Sequence, residues 1–383
     1  MTTPYRPTQK VIQEIREDLF ACASCGYCRF GCPVFQTAGF ERVTPRGRIL
    51  ALKRAIDGRT DVPAEIVDSI YRCLQCAGCK VNCPMEIDFV KICEAIRGDM
   101  AEKNILPEGQ EMLRKTVSEK GNPFGEPAAE RGVWAGKVER LTPGVPLLYF
   151  AGCASSYASN RIARSVVKVL ETAGIPFNVM GREENCCAAP LLRVGDEAKA
   201  KVLIDKNIAV FERLQTTEIV ASCAGCFKTL KTAYPEKFHA MHVTQFFLKL
   251  LKEGAFTFKK DFPKKIIYFD GCDIGRHAGV YEEPREFLRA IPGVTLLEYD
   301  YNREKAICCG GPLLSLDIKL AAKIAADRVR EAAAKGAEMI ATPCPTCMVN
   351  LKSGAEEAGI QISIQDIPMI LPGIIEKKTP AAP

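Results

Sequence analysis

Apolar residues are spaced for helices in the N-terminal quarter of the chain and for short strands later. Val11, Ile15 and Leu19 recur at helical spacing, and so do Ile49, Leu52 and Ile56 ahead of Gly58, which can stop that helix. Cys93 stands with Ile92 and Ile96 in another apolar helical stretch, where a buried thiol packs as a small hydrophobe. The run Thr44-Pro45-Arg46-Gly47-Arg48-Ile49 reads as a helix start capped by Thr44, in preference to a basic loop that docks a partner. Later, Leu147-Leu148-Tyr149-Phe150 and Ile266-Ile267-Tyr268-Phe269 read as strands. Each is followed by a helix, a second strand, a long helix from about residue 195 or 315, and a further strand over 218–221 or 339–342. That alternation predicts a parallel-type sheet in each half. Between the two regions, residues 121–144 are rich in glycine and proline and hold the single tryptophan, Trp134, expected to anchor a linker. The expected domains are 1–118, a linker over 119–144, then 145–256 and 257–383.

With 383 residues, 47% apolar and 26% charged, the chain can build two or three ordinary cores. No apolar run approaches the length of a membrane span, so membrane contact is expected only through a partner subunit. The net charge of +6 is spread out, with only Lys259, Lys260, Lys264 and Lys265 close together, which argues against nucleic-acid binding. The informative number is 19 cysteines. The opening MTTPYRPTQK lacks the apolar core of a secretory signal, so a reducing, cytoplasmic setting is expected and the cysteines read as ligands.

Cys22, Cys25, Cys28 and Cys32-Pro33 form C-x2-C-x2-C-x3-C-P, and Cys73, Cys76, Cys79 and Cys83-Pro84 repeat it 51 residues later. In this bacterial ferredoxin run three close thiolates hold one 4Fe-4S cubane and the fourth ligates the other cluster. One cubane is therefore expected on Cys22, Cys25, Cys28 and Cys83, and the second on Cys73, Cys76, Cys79 and Cys32. A structural zinc uses two spaced pairs instead. Small residues at Ala23, Ser24, Gly26, Ala77 and Gly78 leave room for backbone amides near the inorganic sulfurs.

Cys153, Cys186-Cys187, Cys223 and Cys226 recur as Cys272, Cys308-Cys309, Cys344 and Cys347, offset by 119 to 122 residues, with CCAAPLL matching CCGGPLL. In a parallel sheet these groups converge outside the carboxyl ends of the strands. A cluster in each copy accounts for all five cysteines. The alternatives are a zinc ion in one copy or thioredoxin-like dithiol chemistry at the Cys-x2-Cys pairs.

The twice-present order Cys, Cys-Cys, Cys-x2-Cys resembles the cysteine-rich CCG domain of heterodisulfide reductases. A double ferredoxin run ahead of two such domains is similar to the iron-sulfur D component of that enzyme and to the iron-sulfur subunits of glycolate, lactate and glycerol-3-phosphate dehydrogenases. The resemblance covers nearly the whole chain and implies an α-helical double-cluster ferredoxin domain followed by two α/β CCG domains related as an internal repeat. It further implies a noncubane 4Fe-4S cluster on Cys153, Cys186, Cys187, Cys223 and Cys226 and another on Cys272, Cys308, Cys309, Cys344 and Cys347, all ten being catalytic. Two positions depart from the family. Ala188 replaces a glycine and crowds the backbone, and Asp273 replaces a histidine, with His277, read as a surface residue, four positions on.

Two functions follow from the resemblance. In one, electrons pass from the cubanes to the CCG sites and reduce a small-molecule disulfide of the CoM-S-S-CoB type. In the other, the chain is a relay between a flavoprotein dehydrogenase and a quinone or membrane cytochrome b, and the Pro45-Arg46-Gly47-Arg48 segment looks more like those relay subunits. No G-x-G-x-x-G follows a strand, so a partner subunit must supply or remove electrons. Arg276, Arg285 and Lys228 are candidates to hold acidic groups of a substrate.

Overall fold

A computed structural model of the protein describes residues 3–136 and 140–378. Residues 137–139 of the expected linker and 379–383 of the expected last domain lie outside the described residues.

The N-terminal region is helical. The helix Gln9–Ala21 opens on Thr8, whose side chain accepts from the Val11 amide, and it buries Val11, Ile15 and Leu19. The helix Pro45–Ile56 starts as expected, with the Thr44 hydroxyl accepting from the Gly47 amide at 2.9 Å. Its arginines are not a docking loop: Arg48 is buried and donates to the Ser69 hydroxyl, and Arg46 is paired with Glu41. Further helices over Ala64–Tyr71 and Phe89–Glu102 complete the region's own apolar core, in which Cys93 is buried, whereas the helix Glu108–Lys120 packs Val117 into the core that holds the later cysteines.

Two four-stranded sheets follow. The first holds β1 (Leu147–Phe150), β2 (Asn178–Val179), β3 (Glu218–Ala221) and β4 (His239–His242) in the order β2-β1-β3-β4. After β5 (Phe256–Phe258), the second sheet repeats that order as β7-β6-β8-β9, with β6 (Lys265–Tyr268), β7 (Thr295–Leu297), β8 (Met339–Thr342) and β9 (Ser363–Asp366). All these pairings are parallel, and central registers such as Leu148↔Ile219 and Ile267↔Ile340 correspond between the copies. Central strands in such sheets are covered on both faces, which is why they read as unbroken apolar runs.

The alternation of side chains divides two cores. Leu148, Phe150, Ile219, Ile267 and Ile340 pack in one core with the cysteines, whereas Tyr149, Val220, Tyr268 and Ala341 belong to a core shared by the two sheets. The helices Val243–Lys252 and Glu282–Ala290 meet there, with Phe247 and Phe287 ring centroids 6.1 Å apart. The last described strand, β10 (Ile375–Lys377), returns to pair antiparallel with β5. The expected boundary at 256/257 therefore falls inside β5. Among the described residues no helix is long and apolar enough to cross a membrane.

Candidate iron-sulfur sites

The two ferredoxin runs interleave. Cys22, Cys25, Cys28, Cys79 and Cys83 line one recess with Pro45, Arg46 and Ile49. Cys32, Cys73, Cys76 and Cys79 line a second, with Arg48 and Phe89. Each recess is thus lined by thiols of both runs, Cys79 and Cys83 entering the first and Cys32 the second. The loops manage this by crossing at two glycines: a β-carbon on Gly31 would fall 2.2 Å from the Gly78 carbonyl oxygen, and one on Gly78 2.6 Å from that of Gly31. Ser24, Gly26, Gln75 and Ala77 all hold positive φ, the tight left-handed winding that wraps each loop. Arg46 and Lys53 donate to the carbonyls of Ser24 and Cys22 at 3.2 Å. Cys93 is buried as expected, but its thiol lies beside that of Cys73.

In each cysteine-rich copy the thiols gather past the carboxyl ends of the strands. Cys153 follows β1, Cys186-Cys187 follow β2, and Cys223 caps the helix Ala224–Ala233 that carries Cys226. The second copy repeats the arrangement, with Cys272 and Cys308 sulfurs 3.8 Å apart and those of Cys309 and Cys347 3.3 Å apart. Cys187 accepts hydrogen bonds from Cys186 and then Cys226, which holds its thiol down to about 6. The equivalent Cys309, flanked by Cys308 and Cys347, is also held well below its ordinary value.

All ten cysteines line a single chamber of about 450 Å³ between the two sheets. Cys223 stands beside Cys344 across the domain junction, so the two sites adjoin. At the other end Cys76 stands beside Cys308, which places the second copy against the ferredoxin region. Leu113, Phe124, Pro312 and Leu314 supply apolar wall, and Arg97, Arg193 and Asp273 supply charge.

Asp273 is bound by both oxygens to Arg193 Nη2 of the first copy, at 2.7 and 2.9 Å, while Arg193 Nη1 donates to the Leu74 carbonyl. One guanidinium thus joins all three regions. Despite its burial, Asp273 is lowered from its ordinary value, chiefly by Arg193. Beside it, Glu94, Arg193, Lys228 and Thr229 line a polar recess of about 240 Å³ that shares Ala189, Arg193 and Gly225 with the chamber.

Several expectations are corrected. His277 is half-buried rather than freely exposed: Nε2 lies 2.8 Å from the Gln75 carbonyl oxygen, and burial pushes its pKa down to about 4. Residues 272–278 form successive turns rather than a helix. Arg276 donates to the Cys76 and Ala306 carbonyls and so docks the ferredoxin region instead of facing a ligand. Arg285 is fully buried between Asp270 and Glu298. Of the three candidate cations, Lys228 lines a cavity.

The linker contributes a residue that sequence reasoning missed. Arg131 is buried, its Nη2 lying 3.2 Å from Cys153 Sγ and 2.9 Å from Glu184 Oε1. Glu184 also accepts the Ala151 and Gly152 amides, each at 2.9 Å, so the pair fixes the turn that presents Cys153. Trp134 does anchor the segment, packing edge-on against Tyr149 with centroids 6.3 Å apart. Ala188 adopts φ 76°, and its counterpart Gly310 adopts φ 89°.

Thiol-only sets fit iron-sulfur clusters. Among the described residues no group of three or more His, Cys, Asp or Glu side chains is drawn together to hold a single metal ion, and the thiols ring cavities instead.

The 4Fe-4S dicluster domain family matches residues 18–87, and the cysteine-rich domain family matches 147–231 and 266–352. The D component of dihydromethanophenazine:CoB–CoM heterodisulfide reductase is similar over nearly its whole length: 30% identical in Methanosarcina acetivorans and 31% in Methanosarcina barkeri, in each case covering 95% of this chain and 96% of the relative. The EtfAB:quinone oxidoreductase of Syntrophomonas wolfei is 27% identical over 92% of this chain and 58% of its own length. A crystal structure of a hypothetical protein from Helicobacter pylori shares the fold, with a TM-score of 0.58 at 10% identity over 97% of this chain and 76% of that one. Interleaved ferredoxin runs, a duplicated cysteine-rich fold and these relatives agree: the chain belongs to the family of the heterodisulfide reductase D component, as an iron-sulfur oxidoreductase subunit.

Proposed function

We propose that this protein reduces a small-molecule disulfide inside the chamber between its two cysteine-rich copies, using electrons received through the N-terminal region from a partner subunit. The observation that carries this reading is the convergence of both five-cysteine sets on one cavity. The ligand sets are Cys22, Cys25, Cys28 and Cys83 for one cubane and Cys73, Cys76, Cys79 and Cys32 for the other. The two noncubane clusters take Cys153, Cys186, Cys187, Cys223 and Cys226, and Cys272, Cys308, Cys309, Cys344 and Cys347. When bound, these groups supply one-electron chemistry, and the overall change is a disulfide plus two electrons and two protons to two thiols.

The chain's own residues prepare the chamber. Leu113, Phe124 and Leu314 keep it apolar, which suits the uncharged S–S end of a substrate. Lys228 and Arg193, in the adjoining recess, suit an anionic substituent. Arg131 and Glu184 fix Cys153, and the Arg193–Asp273 pair fixes the second copy against the first.

A second reading, a relay without disulfide chemistry, draws on the similarity to EtfAB:quinone oxidoreductase. The test is iron per anaerobically purified chain, followed by disulfide titration. About sixteen iron atoms, four per cluster, with a spectrum altered by disulfide supports the reductase reading. About eight iron atoms removes it, and sixteen with an unaltered spectrum leaves the relay.

A further inference from the structure

The helix Ala64–Tyr71 runs into the loop that carries Cys73 and Cys76, and the carbonyls of that passage are held by side chains from elsewhere in the chain. Arg97 Nη2 donates to the Ile70, Tyr71 and Cys73 carbonyls at 2.7, 2.9 and 2.7 Å. Arg193 holds the carbonyl of Leu74, His277 that of Gln75 and Arg276 that of Cys76. Neutral donors or water can satisfy a helix end and the loop beyond it. Here three of the four donors are guanidinium groups, drawn from all three regions. With its carbonyls turned outward, the loop can aim amides inward, and the Gln75 amide donates to Cys73 Sγ at 3.4 Å.

This positive charge is largely unneutralised. Arg193 is paired with Asp273, but among the described residues neither Arg97 nor Arg276 has a carboxylate partner. Glu94, the acidic group that interacts with Arg97, is drawn more strongly by Lys228 and Arg193. Arg48 adds a further cation without a carboxylate: it lines the recess of Cys32, Cys73, Cys76 and Cys79, is 1% exposed, and keeps Nη2 free of any hydrogen bond. The first quartet is set differently. There Arg46 is neutralised by Glu41, Lys53 is half-buried, and Cys25 is exposed, so water screens the charge that remains.

We propose that Arg48, Arg97 and Arg276 are positioning residues that raise the reduction potential of the group held by Cys73, Cys76, Cys79 and Cys32 above that held by Cys22, Cys25, Cys28 and Cys83. The proposal rests on the cubane assignment made above. An added electron is an added negative charge, which burial alone disfavours and unpaired buried cations favour. Away from water each cation acts at several times its strength in solvent, and three of them oppose the desolvation of one charge. In the step concerned the first group loses one electron and the second gains it, with no bond made or broken. The electron then rests beside Cys308, at the chamber.

The test is a mediated redox titration of anaerobic holoprotein, followed by electron paramagnetic resonance. Cys25→Ser, which changes a ligand of the first quartet alone, assigns the two reduced-cubane signals. In the wild type the second quartet is expected to reduce at the more positive potential. Arg48→Gln is expected to lower its reduced-to-oxidised ratio about tenfold at fixed potential, about 59 mV for one electron. The first quartet's midpoint and the iron content stay unchanged, and Arg48→Lys, which keeps the charge, recovers most of the shift. Should Arg48→Gln lose iron, Arg276→Gln carries the same expectation. A first quartet that reduces at the more positive potential, or an unmoved second midpoint in variants with full iron, overturns the proposal and leaves the cubanes in place. Loss of iron from every variant makes the cations structural and overturns it as well. Absence of reduced-cubane signals in the wild type removes the cubane assignment and the proposal together.

Discussion

Arg131 donates from one nitrogen both to the Cys153 sulfur, at 3.2 Å, and to Glu184, at 2.9 Å, with both charged side chains 2% exposed. Removing one member of a buried pair strands the other charge, at a cost of about 3–5 kcal/mol. Arg131→Met is therefore expected to lower the unfolding midpoint and to release iron from the first cysteine-rich copy. The double variant Arg131→Met/Glu184→Gln should recover much of the stability. Differential scanning calorimetry with iron analysis checks both, and a double variant no better than the single would show that the pair is not the cause.

The crossing of Gly31 over Gly78 leaves no room for a side chain, since the nearest atom to a β-carbon on Gly31 is backbone at 2.2 Å. Gly31→Ala must separate the loops that exchange Cys32 and Cys83. Its expected outcome is loss of iron from both quartets, read by electron paramagnetic resonance of the reduced protein. Gly39→Ala, where a β-carbon meets open space, is the control and should cost only about 1 kcal/mol for its positive φ.

Ala188 holds a left-handed conformation that a β-carbon disfavours by about 1 kcal/mol. Ala188→Gly should raise the thermal midpoint. Gly310→Ala should lower it further than that gain, because its β-carbon also meets Ile324 at 3.1 Å. Midpoints that move the other way would contradict the conformational account.

His242 is fully buried between the Thr244 hydroxyl and the Pro343 carbonyl, at 2.8 and 2.9 Å, and burial lowers its pKa from 6.5 to about 4. The unfolded chain takes the proton first, so the stability is complete above pH 6.5 and is lost as pH falls toward 4. Between pH 7 and 5.5 this one group should remove about 1 kcal/mol. Comparing the pH dependence of unfolding in wild type and His242→Gln isolates that share. Identical slopes would mean that the imidazole titrates normally.

Much of this arrangement is legible because the informative residues are neighbours in sequence. The eight ferredoxin cysteines carry their crossed assignment in two short spacings, and β1, β3 and β8 stand out because their residues are apolar without alternation. What stays hidden depends on partners far along the chain. Arg131 sits in a glycine- and proline-rich stretch that reads as linker, 53 residues from Glu184. Arg285 looks available for a substrate because nothing local announces that Asp270 and Glu298 enclose it. His277 reads as a surface residue until the carbonyl of Gln75, 202 residues away, arrives.

The pairing of β10 with β5 closes the chain on itself. The segment that follows the second sheet lies against β5 and the helix Asn160–Ala173 of the first copy, and Ile375 enters the core that both sheets share. The two copies are thereby held together by a clasp made from two distant stretches of chain. Neither copy can swing away from the other without first undoing it, so the spacing between the two sets of thiols is a property of the whole chain rather than of either copy.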